Sequence, residues 1–389
     1  MSEFHVEVVA IGAVRKHPDA DTLSITNIYG DSQGEGGYPV IFRTGEFNEG
    51  DKAVYVPVDC VVPDTAYWNF LAPQPKVKDG VEVDPGYPVG TVPALYRRIK
   101  ARRLRGIFSM GILAPIELLS DDHVVGTNVV DEMGITRWEP KDPSDDSSPR
   151  HPAGHNVPGP SGWVFPKYTD IEPMRKYRSV FDPNEEVVCT EKIHGMNGRW
   201  CHDGDKLWVG SHERVKRSGG DDAWCKVAEQ HALDERLRML PMHVVFGEVY
   251  GLGSQDMTYF RAGLDLVVFD IARVSLDGRP ATYLDYDVMV ETARERGLSI
   301  APVLYRGPAG DIPSDLQEGM TVLGLGSHVR EGYVCRPVRE RYDHRIGRVV
   351  LKMVGSDYHL RKHDPAVKAK NETDRAARKA IRDAACAAV

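Results

Sequence analysis

The chain has 389 residues, of which 41% are hydrophobic and 27% are charged, and its formal net charge is −8 at pH 7. This length predicts two or three domains with ordinary packed cores. We find neither an N-terminal signal pattern nor a run of about 18 apolar residues, which argues against a secreted or membrane-spanning protein. The negative net charge gives no indication of a nucleic-acid partner, because non-specific phosphate binding depends on lysine and arginine.

The six cysteines are widely spaced along the chain. No C-x-x-C pair or histidine-rich partner accompanies them, which argues against a zinc ribbon and against a disulfide framework. We therefore expect reduced, mostly buried thiols in a cytoplasmic protein, with no membrane contact and no obligate protein partner.

Residues 4–130 consist of short β-like runs separated by glycine and proline, a pattern that favours a small barrel. Three segments resemble the OB-fold of tRNA-binding modules and of the N-terminal domain in Deinococcus-type RNA ligases. They are H-P-D-A-D-T-L-S-I-T at His17–Thr26, F-N-E-G-D-K-A-V-Y-V-P at Phe47–Pro57 and L-R-G-I-F-S-M-G at Leu104–Gly111. The resemblance implies an OB-fold RNA-binding domain over residues 1–135. The aspartates and threonines of the first segment fit equally well as turn formers and strand caps, so direct RNA contact and a structural role both stay open.

A run of basic residues, R-R-I-K-A-R-R-L-R, spans residues 97–105 and contains no acid. The simplest interpretation of such a run is a solvated surface, but its position in a predicted RNA-binding domain favours contacts with phosphates. We therefore predict RNA binding by the basic side chains of this run, which are Arg97, Arg98, Lys100, Arg102, Arg103 and Arg105.

Residues 136–162 are polar and rich in proline, and we predict a linker there. Residues 163–362 alternate between predicted strands and helices, which indicates an α+β domain with an antiparallel core. An alanine-, lysine- and arginine-rich stretch at 363–389 predicts a C-terminal helical tail. Within the second domain, the predicted strands are 186–190, 207–210, 243–250 and 264–271, and the predicted helices are 222–237 and 284–296.

Six short motifs follow one another in this second domain. The first is C-T-E-K-I-H-G-M-N-G at residues 189–198, in which a lysine stands three residues before a glycine. A single K-x-x-G is weak evidence, but the order and spacing of the whole set resemble the covalent nucleotidyltransferases, the superfamily of ATP-dependent RNA and DNA ligases and mRNA capping enzymes. The other motifs are S-H-E-R at 211–214, V-F-G-E-V-Y-G at 245–251, V-F-D-I at 268–271, E-G-Y-V at 331–334 and V-L-K-M at 350–353.

The first motif looks most like that of the nick-sealing RNA ligases of the phage type, which carry histidine where DNA ligases usually carry aspartate. The domain order, with the extra domain first, instead resembles the Deinococcus type. The resemblance implies an α+β architecture in which an N-terminal OB-like β-barrel precedes an antiparallel-sheet, ATP-grasp-like nucleotidyltransferase domain. It also implies ATP and Mg²⁺, or Mn²⁺ in its place, and RNA as the partner, in a nicked duplex or an RNA/DNA hybrid.

The resemblance also implies roles for individual residues. Lys192 matches the nucleophile that forms lysyl-AMP, and Lys352 matches a second cation beside the α-phosphate. Phe269 is implied to stack on adenine and Glu248 to accept a hydrogen bond from the ribose. The full implied set is Glu191, Arg214, Glu248, Phe269 and Lys352 for the nucleotide, Glu331 for the metal, and His194 and Asn197 for the RNA 5′-phosphate end.

A lysine that attacks phosphorus must be neutral, although an ordinary lysine titrates near 10.4. A pKa close to the working pH requires a shift of about three units, or roughly 4 kcal/mol. We expect the charge of Lys352 to supply part of that shift and to stabilise the transition state. The last motif lacks the first cation of the family's usual K-x-K, and the nearby Arg348 is a candidate replacement.

The sequence thus predicts an ATP-dependent RNA ligase that seals 3′-hydroxyl and 5′-phosphate RNA ends through lysyl-AMP and RNA-adenylate intermediates, with RNA repair as its purpose. Two alternatives stay open. A DNA ligase or capping-type enzyme would share the first step and differ in its acceptor. A catalytically silent RNA-binding protein would show salt-dependent RNA binding without any covalent nucleotide.

Overall fold

The computed structural model describes residues 4–30, 36–78, 81–84, 86–138, 156–323 and 328–360. The chain divides into two compact units, Glu3–Lys141 and Asp142–Val389, and the second also takes Met1 and Ser2. The predicted helical tail, Cys386 within it and most of the predicted linker fall outside the described residues. No described helix combines the length and hydrophobicity that crossing a bilayer requires.

The N-terminal unit consists mainly of short strands, as the glycine- and proline-punctuated apolar runs predict. One short helix, α1 (Ala94–Arg97), lies between the eighth and ninth strands. The strands are β1 (Glu7–Ala10), β2 (Arg15–His17), β3 (Ala20–Ile28), β4 (Tyr38–Arg43), β5 (Lys52–Pro57), β6 (Cys60–Val61), β7 (Lys76–Lys78), β8 (Val81–Asp84), β9 (Arg102–Leu104), β10 (Ile107–Ser109), β11 (Gly111–Pro115) and β12 (Thr136–Arg137).

Two three-stranded antiparallel sheets form the centre of this unit. One has the order β1-β5-β11 and the other the order β2-β3-β4. Apolar side chains from both sheets share one core, which includes Val9, Val40, Phe42, Tyr55 and Leu113. Along β5 the buried residues alternate between two cores, because Ala53 and Tyr55 pack in this one whereas Val54 and Val56 pack in a second, so both faces of the sheet β1-β5-β11 are covered. The remaining strands form the hairpin pairs β7–β8 and β9–β10 and the pair β6–β12.

The second unit contains two larger sheets. Its strands are β13 (Glu172–Pro173), β14 (Glu186–Glu191), β15 (Met196–His202), β16 (Leu207–Ser211), β17 (Val215–Lys216), β18 (His243–Gly251), β19 (Leu264–Arg273), β20 (Thr282–Tyr283), β21 (Val303–Pro308), β22 (Gly332–Pro337), β23 (Tyr342–Asp343), β24 (Gly347–Arg348) and β25 (Leu351–Val354). A five-stranded sheet has the order β13-β25-β22-β14-β21, and a six-stranded sheet has the order β17-β16-β15-β18-β19-β20. Neighbouring strands are antiparallel except β13 and β25. The antiparallel core predicted for this part of the chain is therefore present.

The helices of this unit are α2 (Met174–Tyr177), α3 (Ala223–Gln230), α4 (Leu233–Arg238), α5 (Tyr286–Glu295) and α6 (Ser356–Leu360). Apolar residues of α3, α4 and α5 pack on one face of the six-stranded sheet, around the fully buried Trp200. The single helix predicted at 222–237 is in fact two, because Ala232 adopts a left-handed backbone angle (φ 48°) between α3 and α4. The four predicted strands lie within β14, β16, β18 and β19.

Candidate active site

Lys192 lies directly after β14, at the point where this strand faces the start of β22. Glu191 pairs with Tyr333 across the two strands, and the Lys192 backbone N–H donates to the Gly332 carbonyl (3.0 Å). This register brings Lys192 beside Glu331, the residue before β22, and the Lys192 Nζ donates to Glu331 Oε1 (2.6 Å). Two motifs 139 residues apart in the chain therefore meet in one ion pair.

Two glycines permit this close approach of strands. At Gly332 the backbone angle φ is +147°, and a Cβ there would lie 1.9 Å from the Met353 carbonyl oxygen. At Gly195 a Cβ would lie 2.3 Å from the Val249 carbonyl oxygen. Any side chain at either position would push neighbouring backbone apart. The glycine of the first motif is thus required by packing against β18.

Glu248 and Asn197 face each other across β15 and β18, so their side chains lie on the same face of the six-stranded sheet. Glu248 interacts electrostatically with Lys192, Glu331 and His194, which places its carboxyl in the same site. The Asn197 side-chain oxygen is buried, and within the described ranges no hydrogen-bond partner reaches it. A buried acceptor left without a partner is costly unless a ligand satisfies it.

The three charged groups at the centre have shifted pKa values. Burial lowers the pKa of Lys192, but Glu331 and Glu248 outweigh burial and raise that pKa above its ordinary value. Burial raises the pKa of Glu331, yet Lys192 and His194 outweigh it and lower the pKa to about 2. Burial dominates at Glu248 and raises its pKa to about 7. The free site therefore keeps Lys192 as an ammonium, whereas the sequence argument required a neutral amine for attack.

His194 is held from three directions. Its Nε2 lies 2.6 Å from Asp256 Oδ1, and its Nδ1 lies 2.8 Å from the Tyr358 hydroxyl. Its backbone N–H donates to the Tyr259 hydroxyl oxygen (2.7 Å). Nδ1 is also 3.6 Å from Glu331 Oε2. His194 thus connects the Lys192–Glu331 pair to residues that the motifs did not include.

Phe269 is the extra residue of a β-bulge. Phe246 pairs with Asp270 and Gly247 pairs with Val268, so Phe269 has no partner on β18. Its half-buried ring packs edge-on against Tyr168, with 4.9 Å between the ring centres. Bulges frequently redirect a side chain beside a functional site. The structure therefore gives Phe269 a special position in the strand, in addition to the core contact that any phenylalanine there would make.

Lys352 and Glu191 lie on opposite faces of the five-stranded sheet. Val334 pairs with both Thr190 and Lys352, and Lys192 follows Thr190 by two residues, so Lys352 and Lys192 share a face. Tyr333, the partner of Glu191, packs into the core on the other face. There the buried Glu191 carboxylate accepts hydrogen bonds from the Thr321 hydroxyl and from the Val322 N–H (2.9 Å). This placement departs from the prediction that Glu191 holds the nucleotide, because its carboxylate points away from Lys192.

Arg348 lies in β24, which pairs with β23 and does not belong to the five-stranded sheet. It is buried, and its guanidinium donates to Asp270 Oδ2 (2.6 Å), to both carboxylate oxygens of Glu340 (2.6 and 2.8 Å) and to the Tyr168 hydroxyl (3.2 Å). Of the two possibilities for the last motif, a missing first cation or Arg348 in its place, the structure favours the first, because two carboxylates hold Arg348 in the interior. Arg214 is exposed in the turn after β16, where its backbone N–H donates to Ser211 Oγ (3.1 Å).

The basic run of the N-terminal unit divides into two groups. Arg97 donates to backbone carbonyls of Val92 and Val62, and Arg98 pairs with Asp59 (2.6 Å). These two side chains support the fold. The remaining four are exposed on and around the hairpin β9–β10, and they are Lys100, Arg102, Arg103 and Arg105.

A divalent metal ion is compatible with the residues around Lys192. Within the described ranges, no cluster of three or more His, Cys, Asp or Glu side chains forms a ready-made metal cage. However, Glu331 Oε2 is buried and lacks a hydrogen-bond partner among the described residues. Mg²⁺ commonly binds proteins through one or two carboxylates together with substrate phosphates. Glu331 and Glu248 are therefore the side chains that fit this group.

Sequence reasoning missed the loop between β18 and β19, which supplies Asp256 and Tyr259. These residues lie in no recognised motif, and their contacts with His194 span more than 60 residues of sequence. A signal was present in hindsight: the loop of 12 residues is longer than most hairpin loops, and long loops in compact domains are frequently functional.

Two family models match separate parts of the chain. The family model described as RNA ligase matches residues 185–354, and an OB-fold domain model matches residues 6–116. No curated protein matches the sequence.

Among solved structures, Naegleria gruberi RNA ligase with PPi is 21% identical with a TM-score of 0.69, over 92% of this chain and 98% of that one. A mutant of that enzyme with ATP and Mn gives 21% identity and a TM-score of 0.68, over 92% and 98%. Another mutant, with AMP and Mn, gives 21% and 0.67, over 91% and 97%. At this identity the structures establish the fold, which confirms the predicted OB-like barrel and ligase fold. The chain thus contains a domain that matches the RNA ligase family model, and a domain that matches an OB-fold model precedes it.

Proposed function

We propose that this protein is an RNA ligase that uses ATP and seals nicks in duplex RNA, with Lys192 as the covalently adenylated residue. The observation that carries the proposal is the junction of β14 and β22, where Lys192 meets Glu331 with Glu248 in electrostatic contact and Lys352 on the same face. The binding of ATP, AMP and PPi by structural neighbours supports ATP as the substrate here.

In the first step, the Lys192 Nζ attacks the α-phosphorus of ATP. A nitrogen–phosphorus bond forms, the bond from the α-phosphorus to its bridging oxygen breaks, and pyrophosphate leaves. Nζ must lose a proton first, and Glu331 opposes this loss while it faces the ammonium. Engagement of the Glu331 carboxylate elsewhere, together with the positive charge of Lys352, would favour the neutral amine.

In the second step, a 5′-phosphate oxygen of RNA attacks the α-phosphorus of lysyl-AMP, and the lysine leaves and regains a proton. In the third, the RNA 3′-hydroxyl attacks the activated 5′-phosphorus and AMP leaves. The Asn197 oxygen beside Glu248 is buried, and no donor among the residues that the structure describes reaches it, which supports a ligand-contacting role for Asn197. We assign His194 to the RNA 5′-phosphate end. Its ring also contacts the Tyr358 hydroxyl and lies near the Glu331 carboxylate.

The remaining side chains of the site would contact either the nucleotide or the metal ion. Phe269 would stack on adenine, Glu248 would accept from the ribose, and Arg214 would contact phosphate. Glu331, with Glu248 nearby, would hold a divalent ion, which supplies charge stabilisation to the phosphates when bound. Mn in the structural neighbours supports a divalent requirement, and we propose Mg²⁺ with Mn²⁺ as a substitute.

The OB-fold domain would add affinity for RNA through the exposed cations of the hairpin β9–β10. We propose domain limits at residues 1–135 and 163–362, with a linker between them and a helical tail after them. We also place the enzyme in the cytoplasm, with RNA repair as its purpose. The five cysteines within the described ranges are buried free thiols, which supports a reducing compartment.

The test is a sealing assay on labelled nicked duplexes with ATP and Mg²⁺. The wild type should join a nick with an RNA 3′-hydroxyl end and a 5′-phosphate, and a Lys192→Ala variant should not. Replacing the RNA 3′-hydroxyl strand with DNA should slow joining, since the proposed acceptor is RNA. Equal sealing of an all-DNA nick would shift the assignment to a DNA ligase, and sealing by the Lys192→Ala protein would refute the proposal.

A further inference from the structure

The loop between β18 and β19, residues 252–263, makes three hydrogen bonds to the turn that follows Lys192. The Gln255 side-chain amide donates to the Gly195 carbonyl, Asp256 contacts His194 Nε2 at 2.6 Å, and the Tyr259 hydroxyl accepts from the His194 backbone N–H at 2.7 Å. The loop therefore fixes both the backbone and the side chain of His194. None of these three residues has a role in the function proposed above.

The loop itself is held in a fixed shape. Tyr259 and Phe260 both adopt left-handed backbone angles, with φ values of 50° and 55°, which residues other than glycine rarely adopt. Tyr259 is 1% exposed and packs edge-on against Tyr250 of β18, with 5.4 Å between ring centres. Unusual backbone conformations persist only where surrounding contacts enforce them. This anchoring gives Asp256 a defined position from which to hold His194.

The contact with Asp256 determines how the imidazole ring is used. A carboxylate only accepts hydrogen bonds, so in this contact the proton lies on Nε2. When the ring is neutral, Nδ1 is then an acceptor and takes the hydrogen of the Tyr358 hydroxyl (2.8 Å); when the ring is protonated, Nδ1 donates to the same oxygen. Tyr358 belongs to α6, the helix that begins two residues after β25 and so follows Lys352 closely. Asp256 thereby sets the orientation of both His194 and the Tyr358 hydroxyl.

Asp256 is not among the residues that hold Lys192 in place. The Lys192 Nζ is held directly by Glu331, and the Lys192 backbone is held by the Gly332 carbonyl. Asp256, with a side chain 38% exposed, lies on the other side of His194. Loss of Asp256 should therefore disturb the groups around the RNA end more than it disturbs the nucleophile.

We propose that Asp256 is a positioning residue, which orients His194 and Tyr358 for the RNA-dependent steps of ligation. The inference rests on the proposed function, because it assigns His194 to the RNA end. At metal sites, removing the residue that orients a histidine ligand typically lowers metal affinity or activity 10- to 100-fold. The aspartate of a serine-protease triad orients its histidine in the same manner.

The experiment compares two partial reactions for each protein. Lysyl-AMP formation is followed with α-labelled ATP, and joining alone is followed with a nicked duplex that carries a pre-adenylated 5′ end. The variants are Asp256→Ala, Asp256→Asn and Tyr358→Phe. The matched control is Asp234→Ala, which removes another aspartate placed near a histidine, His202, at 3.6 Å and outside this site.

For Asp256→Ala we expect joining to fall about 10- to 100-fold, with lysyl-AMP formation within about threefold of wild type, as for a substitution outside the contacts of Lys192. Asp256→Asn should recover most of the joining rate, because its amide oxygen accepts the same hydrogen bond. Tyr358→Phe should slow joining by a smaller factor, and it keeps the test available should Asp256→Ala not fold. Asp234→Ala should keep the wild-type ratio of the two rates.

An unchanged ratio of the two rates in Asp256→Ala would overturn the inference, including the case of equal losses in both reactions, which would mean that Asp256 supports the whole site. An Asp256→Asn protein as slow in joining as Asp256→Ala would also overturn it. A wild-type protein that forms no lysyl-AMP would instead refute the proposed function, so the two failures are distinguishable.

Discussion

The second unit contains two buried charge clusters that differ in their balance. The site cluster consists of Lys192, His194, Glu248 and Glu331, and the Asp270 cluster consists of Asp270, Arg336, Glu340 and Arg348. In the Asp270 cluster, two guanidinium groups meet two carboxylates, with Arg336 at 2.9 Å and Arg348 at 2.6 Å from Asp270. In the site cluster, two carboxyl groups surround one lysine, and one oxygen of Glu331 is without a hydrogen-bond partner among the described residues.

This difference distinguishes a charge cluster that stabilises the fold from one that is suited to catalysis. Burial raises the pKa of Asp270, but Arg336 and Arg348 outweigh it and lower that pKa, so the carboxylate stays ionised in a paired network. In the site cluster, the pKa values of the two glutamates move apart, to about 7 for Glu248 and about 2 for Glu331. Environments that push paired titratable groups apart are characteristic of catalytic sites. The incomplete cluster is the one that has capacity for a ligand.

The largest effect should follow from breaking the balanced cluster. Asp270→Ala leaves two buried guanidinium groups facing one carboxylate, and we expect a loss of about 3–5 kcal/mol in the free energy of unfolding. Urea unfolding at pH 7 measures it. Asp277→Ala, which removes an exposed aspartate paired with Arg279, is the control and should stay within about 0.5 kcal/mol. A loss below about 1 kcal/mol at Asp270 would contradict the structural role of this cluster.

In the site cluster, the ionised form of the Glu248 carboxyl should lower the stability of the fold. The pKa of Glu248 is about 7 in the folded protein and ordinarily 4.5, so the folded state binds the extra proton between these values and its stability falls as pH rises through that window. Glu248→Gln removes this dependence. The difference in unfolding free energy between variant and wild type should therefore grow by up to about 3 kcal/mol from pH 4 to pH 8. A difference that is flat with pH would show that Glu248 ionises freely.

A smaller effect should come from Arg348→Lys, which tests whether this residue acts in the reaction. The lysine cannot reproduce the several hydrogen bonds to Asp270, Glu340 and Tyr168, and a loss of about 2 kcal/mol in stability is expected. The rate of lysyl-AMP formation per folded molecule should not change, because Arg348 lies outside the site cluster. A normal stability with slowed transfer of AMP to RNA would restore Arg348 to the role that its place in the sequence suggested.

The smallest effect concerns single exposed cations of the N-terminal unit. Lys100 and Arg102 are exposed, and within the described ranges no ion pair engages them, whereas Arg98 is paired with Asp59. Removing one cation that contacts phosphate should lower the slope of log affinity against log salt by about 0.7 to 0.9. RNA binding measured over a range of salt concentrations should show this change for Arg102→Ala and not for Arg98→Ala. Identical slopes for both variants would remove the hairpin from the RNA-binding surface.

The sequence predicted the parts that depend on local pattern. Short apolar runs ended by glycine or proline became strands, and the resemblance carried by the ordered motifs grouped Lys192, Glu248 and Glu331, which the structure brings together. The sequence did not predict the pairing register between strands that are distant in the chain. The opposite faces of Glu191 and Lys352 follow from pairings with Tyr333 and Val334.

Other features depended on partners that only the fold supplies. Arg348 is buried because Asp270, 78 residues earlier in the chain, reaches it. The raised pKa of Lys192 depends on two glutamates that lie far along the chain. The bulge at Phe269 arises from a shift in strand pairing that apolar alternation does not reveal. In each case, the local sequence identified the residue, and tertiary contacts determined what its side chain does.

The most direct test of the account is covalent labelling of the protein itself. Wild-type protein and a Lys192→Ala variant are incubated with α-labelled ATP and Mg²⁺, and both are run on a denaturing gel, with folding of the variant verified by its urea unfolding curve. The account predicts a label on the wild type that survives denaturation and is absent from the variant. Equal labelling of both proteins, or no labelling of folded wild type with any nucleotide and divalent ion tested, would contradict the assignment of Lys192 as the nucleophile.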